Sequence, residues 1–230
     1  MERPVHDPDL LARAEEWLAH DRPPETEPRL AATVMLVRDT SSGPEVYVQR
    51  RVATMSFAPS RIVFPGGGVD PGDHGLDVAT PGLAELATAM GVPPPRAAPY
   101  AAAAVREVEE ECGVRLAVAD LRGRGHWVTP AFEPRRFDTW ILAAGMPPGQ
   151  KATGRTSESD HGGWARPGGL LERFAAREVL MLPPQVWALE ALAQFASAEA
   201  FLADRPRIAR VVPELVRADD GTILLRTILP

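Results

Sequence analysis

From Val105 to Val114 the chain reads Val-Arg-Glu-Val-Glu-Glu-Glu-Cys-Gly-Val, and no other stretch limits the fold as much. At about 100° per residue, Glu107, Glu110 and Glu111 share one face of a helix. Val105, Val108 and Cys112 share a second face suited to a core, and Arg106 and Glu109 take the remaining arc. Gly113 stands where a glycine ends a helix. Three carboxylates on one face repel by a few tenths of a kcal/mol per like pair, so helix propensity does not explain them. One reading is a solvated acidic face. The other is an oxygen-only ligand set of the kind that Mg²⁺ or Mn²⁺ prefers.

Upstream stands Phe64-Pro65-Gly66-Gly67-Gly68. Glycine lets a backbone pass closer to a metal or phosphate than other residues allow. The loop and the acidic run together resemble the Nudix box, G-x5-E-x7-R-E-U-x-E-E-x-G-U, with U a bulky aliphatic. Gly67 takes the first position and Asp73 the first acidic one, where the family usually has Glu. Arg106, Glu107, Val108, Glu110, Glu111, Gly113 and Val114 fill the second half. The pattern would place its arginine at position 81; it stands at 106, 25 residues later. An insert inside the box is similar to one subgroup, the peroxisomal-type coenzyme A diphosphatases. Trp127-Val128-Thr129-Pro130 followed by Pro134-Arg135-Arg136-Phe137-Asp138-Thr139 is similar to the same subgroup.

The resemblance implies an α/β/α sandwich with a central mixed sheet and a helical insert within the box. It implies metal ligation by Glu107, Glu110, Glu111 and the Gly66 carbonyl, with Arg106 orienting carboxylates, Asp73 among them. It also implies a further loop carboxylate, for which Glu158 is the candidate and Asp160 the second choice. Glu110 or Glu158 is then the general base, and both stay open. Arg51 is placed either near substrate or at an exposed strand end. Arg135 and Arg136 suit a phosphate clamp, or Arg136 pairs with a carboxylate and holds a turn. His126 is read equally as a strand residue or a functional one.

Hydrophobic residues make up 45% and charged residues 24% of the 230, enough apolar sequence for a sizeable core. A net charge of −6 argues against nucleic acid as the main partner. One cysteine, Cys112, excludes an internal disulfide. No apolar run approaches the ~20 residues of a membrane span, and no signal-peptide pattern opens the chain; the expectation is a cytoplasmic protein.

The resemblance runs from about Arg29 to Arg205 and so divides the chain into an N-terminal helix and linker (1–28), a main domain (29–205, insert about 74–99) and a C-terminal extension (206–230). A helix is expected from Asp7 to His20, with Asp7 as cap and Pro8 at its first position. Strands are expected at Leu30–Val37, Glu45–Gln49, Leu116–Val118, Gly125–Val128 and into Ile141–Leu142. The insert carries a helix opening at Thr80-Pro81 and closing at Gly91. Its apolar stripe, Leu83, Leu86 and Met90, either roofs a site or packs on the sheet. Residues 146–163 read as loop, 168–176 as helix, and Gln185–Leu202 as one long helix. Around Asp219-Asp220-Gly221 a terminal hairpin or a dimer contact is expected, and a homodimer stays open.

The function expected is metal-dependent hydrolysis of the diphosphate in a small nucleoside-diphosphate-X molecule, with coenzyme A or an acyl derivative as the narrower form. Two alternatives remain: a pyrophosphatase of ADP-ribose or an NADH-type dinucleotide, and a non-catalytic ligand sensor that keeps the fold.

Overall fold

The computed structural model describes residues 2–5, 8–19, 26–52, 60–154 and 159–228. An apolar run that alternates between two faces needs cover on both. In β2 (Arg29–Thr40), Ala32, Val34 and Leu36 enter one core cluster while Met35 and Val37 enter another. β2 is the spine of a mixed sheet. It pairs antiparallel with β3 (Gly43–Arg51) and parallel with β7 (Phe137–Gly145) over the full length of β7. The spatial order is β4 (Ile62–Val63), β3, β2, β7, β6 (Arg122–Val128), β9 (Arg210–Val211), with β5 (Gly66–Gly68) pairing β2 and β8 (Ser159–Ala165) pairing β3.

One face carries α2 (Leu83–Met90) and α3 (Pro94–Cys112). The other carries α4 (Pro167–Ala175), α5 (Pro183–Leu192) and α6 (Ala198–Ala203). The architecture is the expected α/β/α sandwich. Gly113, at φ 68°, ends α3 and sends its N–H to the Glu109 carbonyl.

The insert is folded into the core. Leu83, Leu86 and Met90 are buried against α3 and β6, each burial stabilising by about 1.5–3 kcal/mol. The stripe therefore packs and does not roof a site. α2 starts at Leu83, later than Thr80-Pro81, because Gly82 (φ 86°) brings the chain against Ala119, where a Cβ would collide with backbone.

Three other expectations are corrected. Leu116–Val118 is not a strand; a 3-10 turn spans Val118–Asp120, with the Ala117 N–H donating to the Asp120 carboxylate at 2.8 Å. Residues 146–163 are not all loop, since β8 starts at Ser159. Its glycines read as loop, yet a Cβ at Gly162 would collide with the Tyr47 hydroxyl, so close pairing with β3 requires one there. The single helix from Gln185 to Leu202 is two, α5 and α6. The second restarts because Ser197 Oγ accepts the Ala200 N–H at 3.0 Å, and Asp39 of β2 accepts the N–H groups of Ala198 (2.7 Å) and Glu199 (3.3 Å).

The two ends meet. β1 (Glu2–Pro4), β11 (Ile223–Arg226) and β10 (Glu214–Arg217) form a second, three-stranded sheet, so a hairpin does surround Asp219–Gly221. With α1 (Pro8–Ala19) it encloses a small core containing Ala14, Phe132, Ile223 and Leu225. The proposed cap Asp7 lies outside the described residues. Among the described residues no helix is long and apolar enough to cross a membrane.

Asp39 supplies two of the N-terminal acceptors of α6, so Asp39→Ala should cost about 1 kcal/mol and lower the melting temperature by a few degrees. Urea denaturation checks this; an unchanged midpoint would mean that the two bonds contribute nothing.

Candidate functional site

β5 positions the acidic helix. Val34 N–H bonds the Pro65 carbonyl and Val69 N–H bonds the Leu30 carbonyl, each at 2.8 Å. Bonded and non-bonded pairs alternate in an antiparallel ladder. Gly66 and Gly68, paired with Thr33 and Ala31, therefore turn their N–H and C=O groups away from β2. Gly66 N–H donates to Glu111 Oε2 at 2.9 Å, and the Gly68 carbonyl accepts from Arg106 Nη2 at 2.9 Å. Gly67 faces Glu107 so closely that a Cβ would collide with its carboxylate.

Arg106 is the centre of the cluster. Nε and Nη2 grip Asp73 at 3.2 and 2.9 Å. Nη1 reaches Glu107 Oε1 at 2.8 Å and Glu110 Oε2 at 3.2 Å. With Gly68 that makes five contacts for a group with five N–H donors. Hydrogen bonds to Asp73 and Glu107 outweigh burial and hold the guanidinium protonated far beyond its ordinary range.

Asp73 is buried, which alone would raise its pKa. Hydrogen bonds from Arg106 and the Asp70 N–H, with the charge of Arg106, more than compensate and hold it below the usual value. Glu107 goes the other way. Burial raises its pKa, Arg106 offsets only part, and the neighbouring Glu110 and Asp70 charges add to the rise. Burial, more than the neighbouring charges, thus disfavours the charged form of Glu107.

Glu110 is exposed and Glu111 is buried. Glu109, on the outer arc, pairs with exposed Arg115 at 2.8 Å. Beside Arg106 and Glu110 opens a cleft of about 610 Å³ walled by Leu76, Ala102, Val105 and Val118, so this end of the cluster is reachable from solvent.

Among the described residues, no three His, Cys, Asp or Glu side chains converge on one point. Glu107 and Glu110 lie on Arg106, and Glu111 lies on Gly66. The donor types nevertheless suit a hard cation. Three carboxylates share one helix face, and the Gly66 carbonyl points away from β2 beside them, at a strand that glycines keep clear of side chains.

Other predicted residues fall elsewhere. Glu158 lies outside the described residues, and Asp160 is in β8. Arg51 ends β3, and its Nε is buried without a hydrogen-bond partner among the described residues. Arg135 is exposed just before β7. Arg136 is corrected: it is buried, donating from Nε to the Thr129 carbonyl and from Nη1 to the Thr26 carbonyl, each at 3.0 Å. Through these carbonyls it holds the turn between β6 and β7. His126 stacks on Trp140 at 4.3 Å, with Nε2 2.6 Å from Asp138 Oδ1. That pair, bridged towards α3 by Tyr100, ties strand to helix.

Sequence reasoning missed Gln49, whose amide lies 3.4 Å from Glu111 Oε2. In an alternating strand with Val46 and Val48 inward, Gln49 reads as solvent-facing. It is buried because α3 covers that face too.

No protein-family model matches the chain. It is similar to the crystal structure of a NUDIX hydrolase from Alicyclobacillus acidocaldarius, at 24% identity over 79% of this chain and 98% of that one, with a TM-score of 0.67. Weaker likenesses include a MutT protein from Methanosarcina mazei Go1 (14% identity, 75% and 97% covered, TM-score 0.49). Another is the NUDIX domain of Shewanella oneidensis NrtR complexed with ADP ribose (14%, 78% and 96%, 0.48). The first of these likenesses establishes that the chain has the Nudix fold.

With Asp73 held below its ordinary pKa, the stability that it contributes is complete above its unfolded value, about 3.9. That stability is lost as pH falls through the lower folded value. In metal-free protein, Asp73→Asn should flatten the acid limb of stability below about pH 4, read by urea denaturation at a series of pH values. An acid limb identical to wild type would remove Asp73 as its source.

Proposed function

We propose that this chain is a Nudix hydrolase that uses a divalent cation to cleave the diphosphate linkage of a nucleoside-diphosphate-X substrate. One observation carries the reading: Glu107, Glu110 and Glu111 lie together on α3 against a glycine strand, with Arg106 tying two of them to Asp73. Glu107, Glu110, Glu111 and the Gly66 carbonyl would hold the cation. Mg²⁺ or Mn²⁺ bound there would supply positive charge to phosphate oxygens and lower the pKa of an attacking water. Arg106 holds Glu107 and Glu110 in place while it stays protonated. A carboxylate, Glu110 or Glu158, takes the water's proton. The water oxygen bonds to one phosphorus, the bridging P–O bond breaks, and two phosphate monoesters leave.

Glu110→Gln and Glu111→Gln should each lower kcat at least ~10²-fold, about 2.7 kcal/mol of barrier, with the fold retained by circular dichroism. Glu109→Gln, on the outer arc, should be nearly silent. Full activity in either of the first two variants would refute the metal assignment. Metal-dependent turnover by wild type also separates an enzyme from a ligand sensor.

The narrower reading is coenzyme A or an acyl derivative, cleaved to 3′,5′-ADP and a phosphopantetheine product. Its support is exposed Arg135, which immediately precedes the buried anchor Arg136 and enters β7 beside the start of β2. The insert helix no longer contributes, since its apolar stripe is in the core. A charged contact to the 3′-phosphate should make wild type prefer coenzyme A over its 3′-dephospho form by ~10-fold or more, and Arg135→Ala should lose most of that preference. Faster cleavage of ADP-ribose or NADH than of either would assign the chain to dinucleotides instead.

A further inference from the structure

Gln49 is 2% exposed in the middle of the sheet. A primary amide is costly to bury unless it is hydrogen bonded. Its Nε2 lies 3.4 Å from Glu111 Oε2 and 3.5 Å from Cys112 Sγ. The orientation of the amide follows from chemistry: an ionised carboxylate only accepts, so the NH₂ end and not the carbonyl must face it. Gly66 N–H meets the same Oε2 at 2.9 Å from another strand. Donors from β3 and β5 therefore converge on one oxygen and fix how the Glu111 carboxylate is turned.

We propose that Gln49 is a positioning residue for the cation site, acting through Glu111; this rests on the reading of the acidic face as a metal site. The choice of donor matters. Arg106 holds Glu107 and Glu110 with a positive charge that competes with a cation for the same oxygens. Gln49 and the Gly66 amide are neutral donors, so they turn Glu111 without adding a positive charge that would compete with the metal. A lysine or arginine at position 49 would orient Glu111 equally well and weaken it as a ligand. A buried glutamine is the neutral long-reaching donor that avoids this.

The test is Mn²⁺ affinity, measured by titration calorimetry or by electron paramagnetic resonance of free Mn²⁺, in wild type, Gln49→Leu, Glu111→Gln and the double variant. Gln49→Leu should weaken Mn²⁺ binding by ~10-fold or more, the usual effect of losing a partner of a ligand. In the Glu111→Gln background the same change should alter affinity by less than about twofold, because an effect routed through Glu111 is already lost. Raising Mn²⁺ should restore kcat in Gln49→Leu. A purely structural role for Gln49 would give equal losses in both backgrounds, and that outcome overturns the proposal. So does unchanged Mn²⁺ affinity in Gln49→Leu. If Gln49→Leu does not fold, Gln49→Met, which keeps length and lacks the donor, takes its place in the cycle. Failure of wild type itself to bind Mn²⁺ would overturn the metal reading and this proposal with it. Normal wild-type binding without coupling would overturn only the role of Gln49.

Discussion

Glu107 reaches the sheet only because residue 67 has no side chain. That contact sets the distance between α3 and β5, and most of the site depends on it. With the helix at that distance, the carbonyl of Gly68 falls on Arg106 and the amide of Gly66 on Glu111. One turn of acidic helix is thereby joined to three consecutive backbone units. The Ala-rich stretch Ala101–Ala104 serves the same end: small side chains at the sheet-facing positions Ala101, Ala103 and Ala104 are fully buried and let the helix lie close.

The cluster concentrates negative charge in a protein that is already acidic. Asp70, Asp73, Glu107 and Glu110 gather around one arginine, and Glu111 lies on the Gly66 amide. Arg106 is near enough to neutralise Asp73 and to share itself between Glu107 and Glu110. One positive charge does not balance the carboxylates around it. Burial raises the pKa of Glu107, and the Glu110 and Asp70 charges add to that rise.

Much of this could be read from the residues because the acidic run is long, capped by Gly113 and preceded by a glycine strand. Helical periodicity placed the three glutamates on one face, and the i, i+4 spacing placed Arg106 beside Glu110. What escaped was tertiary. Gln49 and Gly162 carry the composition of a surface strand and of a loop. Cover over both sheet faces makes the first a buried donor, and pairing with β3 against Tyr47 makes the second a close-packing residue. The break between α5 and α6 escaped for a similar reason, since part of its cause, Asp39, is about 160 residues away in sequence. Arg136 looked like half of a phosphate clamp because an arginine pair reads as charge. Its Nε and Nη1 donate to backbone carbonyls, which a sequence does not display.

β1 pairs with β11, and Glu2 bonds Arg226 across 224 positions of chain. During synthesis β1 has no partner until β11, more than 200 residues later, has been made. The main sheet needs nothing beyond Val211 to complete its ladder, so it can close while the N-terminal strand and the apolar stripe of α1 wait uncovered. Contacts that distant in sequence form slowly, and the terminal sheet is therefore the last part to lock. The order of assembly puts the acidic face of α3 ahead of the clasp between β1 and β11, and a cut in the chain between β9 and β11 falls outside the sheet that carries α3.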